Sequence, residues 1–322
     1  MSGFPAVCCP RCRAILDPEG GEGDVERCAA CALAFPAHHS VRLLADGVLE
    51  RETEAWQKEI YDAYAPQRHG GWGLGRGPDL TLTYWSHCRR IAALAPAAGE
   101  VVLDLGALDG RRLFEIAATY DVLGVGVDLS TRAVHAAREA RHPRLRFHAA
   151  SAEALPLPHA SVDIAIAMDV LEHTAHPDRV VREIRRCLKP GGRFLAHLPV
   201  TDNAGSLDAW MAEHRPAFWT ERVRAVGHDY ARMPNAAAAR GWLEDAGFAG
   251  VRLDRFNAWH QNRFDYYAVH RVLNTLFFVW QLPMRLYHDL LAHATRLWYL
   301  LDVPRLRRGV GGSVYVSGRV PA

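Results

Sequence analysis

Lysine is almost missing from this chain of 322 residues. It stands only at Lys58 and Lys189, and the remaining strongly basic side chains are all arginine. Formal net charge is only +2, so no polycation drives the chain onto nucleic acid by counterion release. Long apolar runs are missing too. The longest near the carboxyl end, Leu276–Trp280, is too short to cross a bilayer. The opening MSGFPAVCCPRC lacks the cationic start and apolar core of a secretory signal. A cytoplasmic protein is therefore the expectation, and there cysteines serve as metal ligands more often than as disulfides. What is abundant is apolar side chain, 49% of the sequence. That is ample for a core in one large domain or two smaller ones.

Four of the cysteines fall in two CxxC pairs, Cys9 with Cys12 and Cys28 with Cys31. Each pair sets two thiolates on one side of a tight knuckle, and two knuckles complete a tetrahedral zinc site. Cys8 adjoins Cys9, but the CPRC spacing favours Cys9. With four protein ligands no position is open for chemistry, so this zinc reads as structural, stabilising a segment too short to fold on its core alone. Cys88 and Cys187 lie far away in helical patterns and read as packed thiols. The words CALAFPAHHSVRLLADG resemble the end of the small zinc-ribbon subunit that activates tRNA methyltransferases, and the ribbon at the front of many bacterial methyltransferases. That resemblance spans roughly residues 6 to 47.

Beyond it, residues 50–68 are helical in pattern. Gly70–Asp79 is glycine-rich with no strand before it, which reads as a hinge and not a phosphate loop. Residues 80–95 form a helix. Strands and helices then alternate, the mark of a doubly wound parallel sheet. Strands are expected at Val101–Leu105, Val122–Asp128, Leu145–Ala149, Val162–Met168, Arg193–Leu198, Val251–Phe256 and Ser313–Arg319. Helices follow Gly110, run from Thr131 to Arg141, from Pro177 to Leu188 and from Asn235 to Ala246. Lys189-Pro190-Gly191-Gly192 reads as a turn. The fold class is α/β, a Rossmann-like doubly wound sheet. Its expected parts are a zinc ribbon at 1–49, a helical linker at 50–98, a cofactor-binding core at 99–256, a helical cap insertion at 257–311 and a last core strand at 312–322.

Five phrases carry a family resemblance: VLDLGALDG, GVGVDLS, SAEALPLPHASVDIAIAMDVLEH, LKPGGRF and GHDYARMPNAAAARGWLEDAGF. Their order resembles that of class I S-adenosylmethionine-dependent methyltransferases over roughly residues 99 to 256. The resemblance implies a strand, a glycine turn and a helix start holding the cofactor. Gly106, Ala107 and Gly110 form that turn, with Asp104 facing the cofactor's ammonium group directly or through water. Asp128, followed by Leu129, takes the ribose hydroxyls. Ser151, Ala152 and Glu153 stand at the adenine, with Ser151 where the family often has aspartate. Met168 and Asp169 end the fourth strand beside the sulfonium. Leu108 departs from the family's middle glycine.

Methyl transfer is an in-line displacement in which the protein aligns the acceptor and removes a proton where required. Asp169, His173 and His228 are the candidate catalytic groups. His173 closes the LEH phrase and reads as a base or as a packing histidine. His228 opens the GHDY phrase and reads as a substrate contact. His197 lies inside a strand and reads as core, and Glu172 as a bond to local backbone. The segment 201–226, with Trp210, Phe218 and Trp219, reads as a lid or as packing. The insertion after the sixth strand has apolar and aromatic residues at helical spacing. It reads as packing on the core or on a second copy in a homodimer, as a cap over the acceptor, or as a face on a membrane, the last helped by Arg285, Arg296, Arg305, Arg307 and Arg308. The leading function is methyl transfer to a small-molecule acceptor at oxygen, nitrogen or carbon. An RNA base methyltransferase is the alternative, drawing on the ribbon, against which stand the near-neutral charge and the absence of an asparagine-proline-proline phrase. A non-catalytic, partner-activated scaffold is a third, marked by Leu108 and Ser151.

Overall fold

The structure is a computed structural model, and it describes residues 3–16, 25–38, 41–44, 82–225, 228, 233–260 and 297–322. The expected helix at 50–68, the glycine-rich hinge and most of the insertion after residue 260 lie outside the described residues.

Three short strands come first: β1 (Val25–Arg27), β2 (Ala34–His38) and β3 (Val41–Leu44). Helix α1 (Leu82–Ala92) leads to β4 (Val101–Leu105), α2 (Arg111–Tyr120), β5 (Leu123–Asp128), α3 (Thr131–Glu139) and β6 (Leu145–Ala150). Then follow β7 (Val162–Met168), α4 (Pro177–Cys187), β8 (Leu188–Pro199), α5 (Leu207–His214), α6 (Pro216–Ala225), α7 (Ala236–Asp245), β9 (Ala249–Phe256) and β10 (Ser313–Arg319). The strands lie in the order β1-β2-β3-β6-β5-β4-β7-β8-β10-β9. From β3 to β8 every neighbour is parallel, while β10 runs antiparallel to both β8 and β9. This is the expected doubly wound α/β sheet.

A parallel sheet must be covered on both faces, and its strands carry apolar residues on both sides. All five residues of β4 are buried. Leu103 and Leu105 point into the layer that holds Val180, Ile184 and Leu243, while Val102 points into the layer of Leu113, Ile116 and Val134. Local signals end the helices where the sequence places them. Ser130 and Asn235 cap α3 and α7 by accepting from Ala133 N and Ala238 N, and Pro177 opens α4.

Several boundaries differ by one to three residues, and the largest difference is at the start of β8. The expected Lys189–Gly192 turn is drawn into β8, which begins at Leu188 opposite Val162. The cause is a distant pairing: Gly191 N donates to Val320 O and Val320 N to Gly192 O. The extra residues are absorbed by a register shift between Val162 and Ile164.

The cysteine-bearing segment shares the core of the sheet. β3 adds to the edge beside β6, Leu43 facing Ala149 and Leu44 facing Ala150. Val7, Leu16, Leu33 and Phe35 join the same apolar cluster as Leu155 and Leu157. Arg13 donates to Leu155 O at 2.6 Å and pairs with Glu183 at 3.0 Å. Glu183 also binds Arg186 and accepts from Leu155 N. Burial pushes the Glu183 carboxyl up, but Arg186, Arg13 and that amide outweigh it and hold it below the usual range.

Glu183 thus contributes stability at neutral pH that is lost as pH falls below the unfolded value of about 4.3. Glu183→Gln is expected to lower unfolding stability by about 2 kcal/mol at pH 7. In melts at falling pH below that value the gap to the parent should narrow; a gap that stays equal down to acid unfolding refutes the assignment.

Candidate active site at the carboxyl ends of the strands

The strand order reverses between β4 and β7, so the loops after β4, β5 and β7 meet at one edge. The turn after β4 is knitted to the end of β5. Gly106 N and Ala107 N both donate to Val127 O, and Gly110 N donates to Ala107 O. Gly106 has φ +65°, and a Cβ there would lie 2.4 Å from Val170 Cγ2, so the glycine is required by the loop after β7. Leu108 takes φ 47° and its amide donates to Asp128 Oδ2 at 2.8 Å. Asp128 Oδ1 accepts from Ser130 N, also at 2.8 Å. Leu129 packs beside this layer.

Asp169 follows β7 with φ 58°, a left-handed backbone that costs a non-glycine residue about 1–2 kcal/mol. Its side chain is 43% exposed and lies between two buried histidines. His197 Nδ1 lies 2.6 Å from Asp169 Oδ1, and His197 Nε2 lies 2.8 Å from Ser313 Oγ. His87, from α1, places Nε2 at 3.9 Å from Asp169 Oδ2. Burial pushes the Asp169 carboxyl up, but His197, His87 and Arg112 together outweigh it, and the group stays well below the usual carboxylate range. Burial, with His197 nearby, pushes His87 the other way, far below the usual imidazole value. Met168 is buried directly before Asp169.

A second group stands on the short 3-10 turn Leu171–His173. The Glu172 side chain has no exposed surface. His173 Nε2 and His228 Nε2 lie 3.9 Å and 3.6 Å from its Oε1. The two imidazoles face each other at 4.7 Å and 31°. His228 N donates to Val223 O at the end of α6.

Away from this edge, the Sγ atoms of Cys9, Cys12, Cys28 and Cys31 all lie within 4.8 Å of one another. The two knuckles match bond for bond. Cys9 N donates to Ala14 O and Arg13 N to Cys9 O; Cys28 N donates to Leu33 O and Ala32 N to Cys28 O. Arg13 and Ala32 share a left-handed φ, 63° and 58°. Cys8 stays outside the tetrad, buried with its amide on Pro156 O.

Comparison with known proteins decides the family. A family model described as "Methyltransferase domain" matches residues 103–196. The 27-O-demethylrifamycin SV methyltransferase of Amycolatopsis mediterranei is 29% identical over 208 residues, 58% of this chain and 71% of that one. A ubiquinone/menaquinone biosynthesis C-methyltransferase of a Caulobacter species is 30% identical over 202 residues, 53% of this chain and 77% of that one. The chain belongs to the S-adenosylmethionine-dependent methyltransferases. Among solved structures, phosphoethanolamine N-methyltransferase 2 of Haemonchus contortus, in complex with S-adenosyl-L-methionine, shares the fold. Its TM-score is 0.57 at 17% identity, over 90% of this chain and 62% of that one.

The methyltransferase departs from several expectations. Asp104 is wholly buried and its Oδ1 meets Arg112 at 3.1 Å, so it faces Arg112 and not an open edge. Burial pushes its carboxyl up, against the pull of Arg112. The Glu153 carboxylate accepts from His176 N at 3.1 Å and reaches Arg179, turning toward the start of α4. Ser151 is buried and its Oγ accepts from Glu153 N, with Ala152 packed alongside. His197, read as core, is the partner of Asp169. Glu172, read as bonding local backbone, is buried without a hydrogen-bond partner on either oxygen among the described residues. Trp210 and Phe218 of the expected lid are exposed, on α5 and α6. His87 and Ser313 were not foreseen, because nothing near them in the sequence marks a site. Among the described residues no helix is long and apolar enough to cross a membrane.

Breaking a buried pair on one side leaves a charge uncompensated. Arg112→Met is expected to cost about 3–5 kcal/mol in denaturant unfolding. Adding Asp104→Asn should restore more than half of it; a double variant no better than the single one would show that Asp104 does not depend on Arg112.

Proposed function

We propose that this methyltransferase acts on a small-molecule acceptor, at oxygen, nitrogen or carbon, along the carboxyl ends of β4, β5 and β7. The observation that carries the placement is Asp128. Its Oδ2 accepts from Leu108 N and its Oδ1 from Ser130 N, so two backbone amides hold the carboxylate at the end of β5, where an acidic acceptor suits two ribose hydroxyls. In this reading Gly106, Ala107, Gly110 and Leu129 shape the turn around the cofactor, Ser151, Ala152 and Glu153 border its adenine, and Met168 borders its sulfur. Asp104 acts at one remove, through Arg112. Bound there, S-adenosylmethionine supplies a methyl group on a sulfonium.

Asp169, His173 and His228 form the acceptor side. Asp169 is held ionised and can orient a proton-bearing acceptor or take up its proton. The small-molecule reading draws on the demethylrifamycin substrate and the ubiquinone/menaquinone biosynthesis in the relatives' names and on the low net charge. Against the RNA alternative, the cysteine-bearing segment already has work to do at the sheet edge. The cysteine tetrad is proposed to hold structural zinc. In a tetrahedral site with bonds of about 2.3 Å, sulfurs lie about 3.8 Å apart, close to the 3.7 Å and 3.5 Å separating Cys9 from Cys31 and Cys12 from Cys28.

Methyl-labelled cofactor offered to a metabolite extract and to total RNA separates the two acceptor classes. Label should enter the metabolites, and label in RNA alone would reject the small-molecule reading. Asp128→Ala should weaken cofactor binding at least about tenfold by calorimetry, the loss of two charge-assisted hydrogen bonds; unchanged affinity defeats the placement. Replacing Cys12 and Cys28 by Ser should release zinc and lower the melting temperature. Zinc content equal to that of the parent would refute the tetrad.

A further inference from the structure

A fully buried carboxylate with no hydrogen-bond donor is costly, several kcal/mol even after relaxation. Glu172 is such a group: its side chain has no exposed surface, and neither oxygen has a hydrogen-bond partner among the described residues. What faces it is not a donor at bonding distance but two imidazole nitrogens, at 3.9 Å and 3.6 Å from the same oxygen. One belongs to the next residue. The other is brought from a distant segment and fixed by its own amide on Val223 O. The contrast with Asp169 is instructive. That carboxylate takes a 2.6 Å bond from His197, whose other nitrogen is matched to Ser313. In the Asp169 group the carboxylate is bonded and His87 Nε2 is left without a hydrogen-bond partner, whereas in the Glu172 group both carboxylate oxygens are left so among the described residues.

We propose that Glu172, His173 and His228 bind a divalent transition-metal ion. Their ligand atoms lie within 4.8 Å of one another. Around a tetrahedral ion with bonds of about 2.1 Å, ligand atoms lie about 3.4 Å apart, a spacing that both imidazoles approach to within tenths of an ångström in their separation from Glu172 Oε1. Two imidazoles and one carboxylate suit zinc, manganese or iron(II), and three protein ligands leave positions open. Resting on the reading of Asp169 as the acceptor side, those positions go to water or to an oxygen of the acceptor, because Glu172 lies on the turn that Asp169 begins. The ion would neutralise Glu172 and fix the loop after β7, whose Val170 side chain covers Gly106.

Manganese(II) is a discriminating probe, since it avoids thiolates and leaves the cysteine tetrad with its zinc. The full chain, purified with zinc, is titrated with Mn2+ and the free ion is followed by electron paramagnetic resonance; zinc bound beyond the tetrad is measured by metal analysis. Saturable binding of one further ion is expected. Glu172→Gln and His228→Gln should each weaken it at least about tenfold, because even outer partners of a metal site are worth that much. Thermal melts establish that the variants are folded, and His228→Gln, at a partly exposed position, tests the site if Glu172→Gln is unstable. Failure of both Mn2+ and additional zinc to bind, or binding indifferent to both variants, overturns the proposal and leaves a Glu172–His228 ion pair in its place. Cofactor calorimetry on the same samples reports separately on the methyltransferase site, so the two readings fail independently.

Discussion

The parallel pairing of β4 with β7 is the constraint on which the site depends. Its register, Val102 to Ile164 through Leu105 to Ala167, ends both strands at the same edge. From that edge the chain leaves β4 through the Gly106 turn and leaves β7 through Asp169. The two loops then touch, Val170 lying over Gly106. A glycine at 106 and a compact apolar residue at 170 are therefore one requirement seen from two strands. The turn proposed to approach the cofactor is thus held by the loop proposed to carry the acceptor-side groups.

The same edge concentrates polar groups where the layers beneath are apolar. Asp104, His87, His197 and Ser313 are all buried, and each carries a desolvation cost that only a partner offsets. The partners come from different elements: α1 supplies His87, α2 supplies Arg112, β8 supplies His197 and β10 supplies Ser313. Such a network makes the site an outcome of the whole fold. It also explains the tolerated backbone strain at Asp169, whose amide is fixed on His197 O at 2.9 Å while its carboxylate is fixed on the ring of the same residue.

How much of this was legible in the sequence follows from range. β4, β7 and β10 begin and end where apolar runs and turn residues place them, since those signals are local. β8 was misjudged at Lys189–Gly192 because its pairing with Val320 is made across more than a hundred residues of chain. Asp128, Asp169 and the four cysteines stand out in the sequence because each lies in a phrase with fixed spacing, and the structure brings the four sulfurs together. His87 and Ser313 were not, for they gain meaning only when α1 and β10 close over β8. Glu172 was read through its neighbours as a backbone partner, whereas burial and the arrival of His228 decide its surroundings.

The cysteine tetrad illustrates a different economy. The edge strand of a parallel sheet presents unpaired amides and carbonyls, a template for unwanted pairing. Here β3 covers β6, and the knuckles that shape its approach are anchored by Arg13 on Leu155 O and Glu183. A segment with little core of its own gains one by joining the sheet, and the sheet loses an exposed edge. Metal binding in that segment would then be coupled to the order of β6 and of the Ser151–Leu155 loop that follows it.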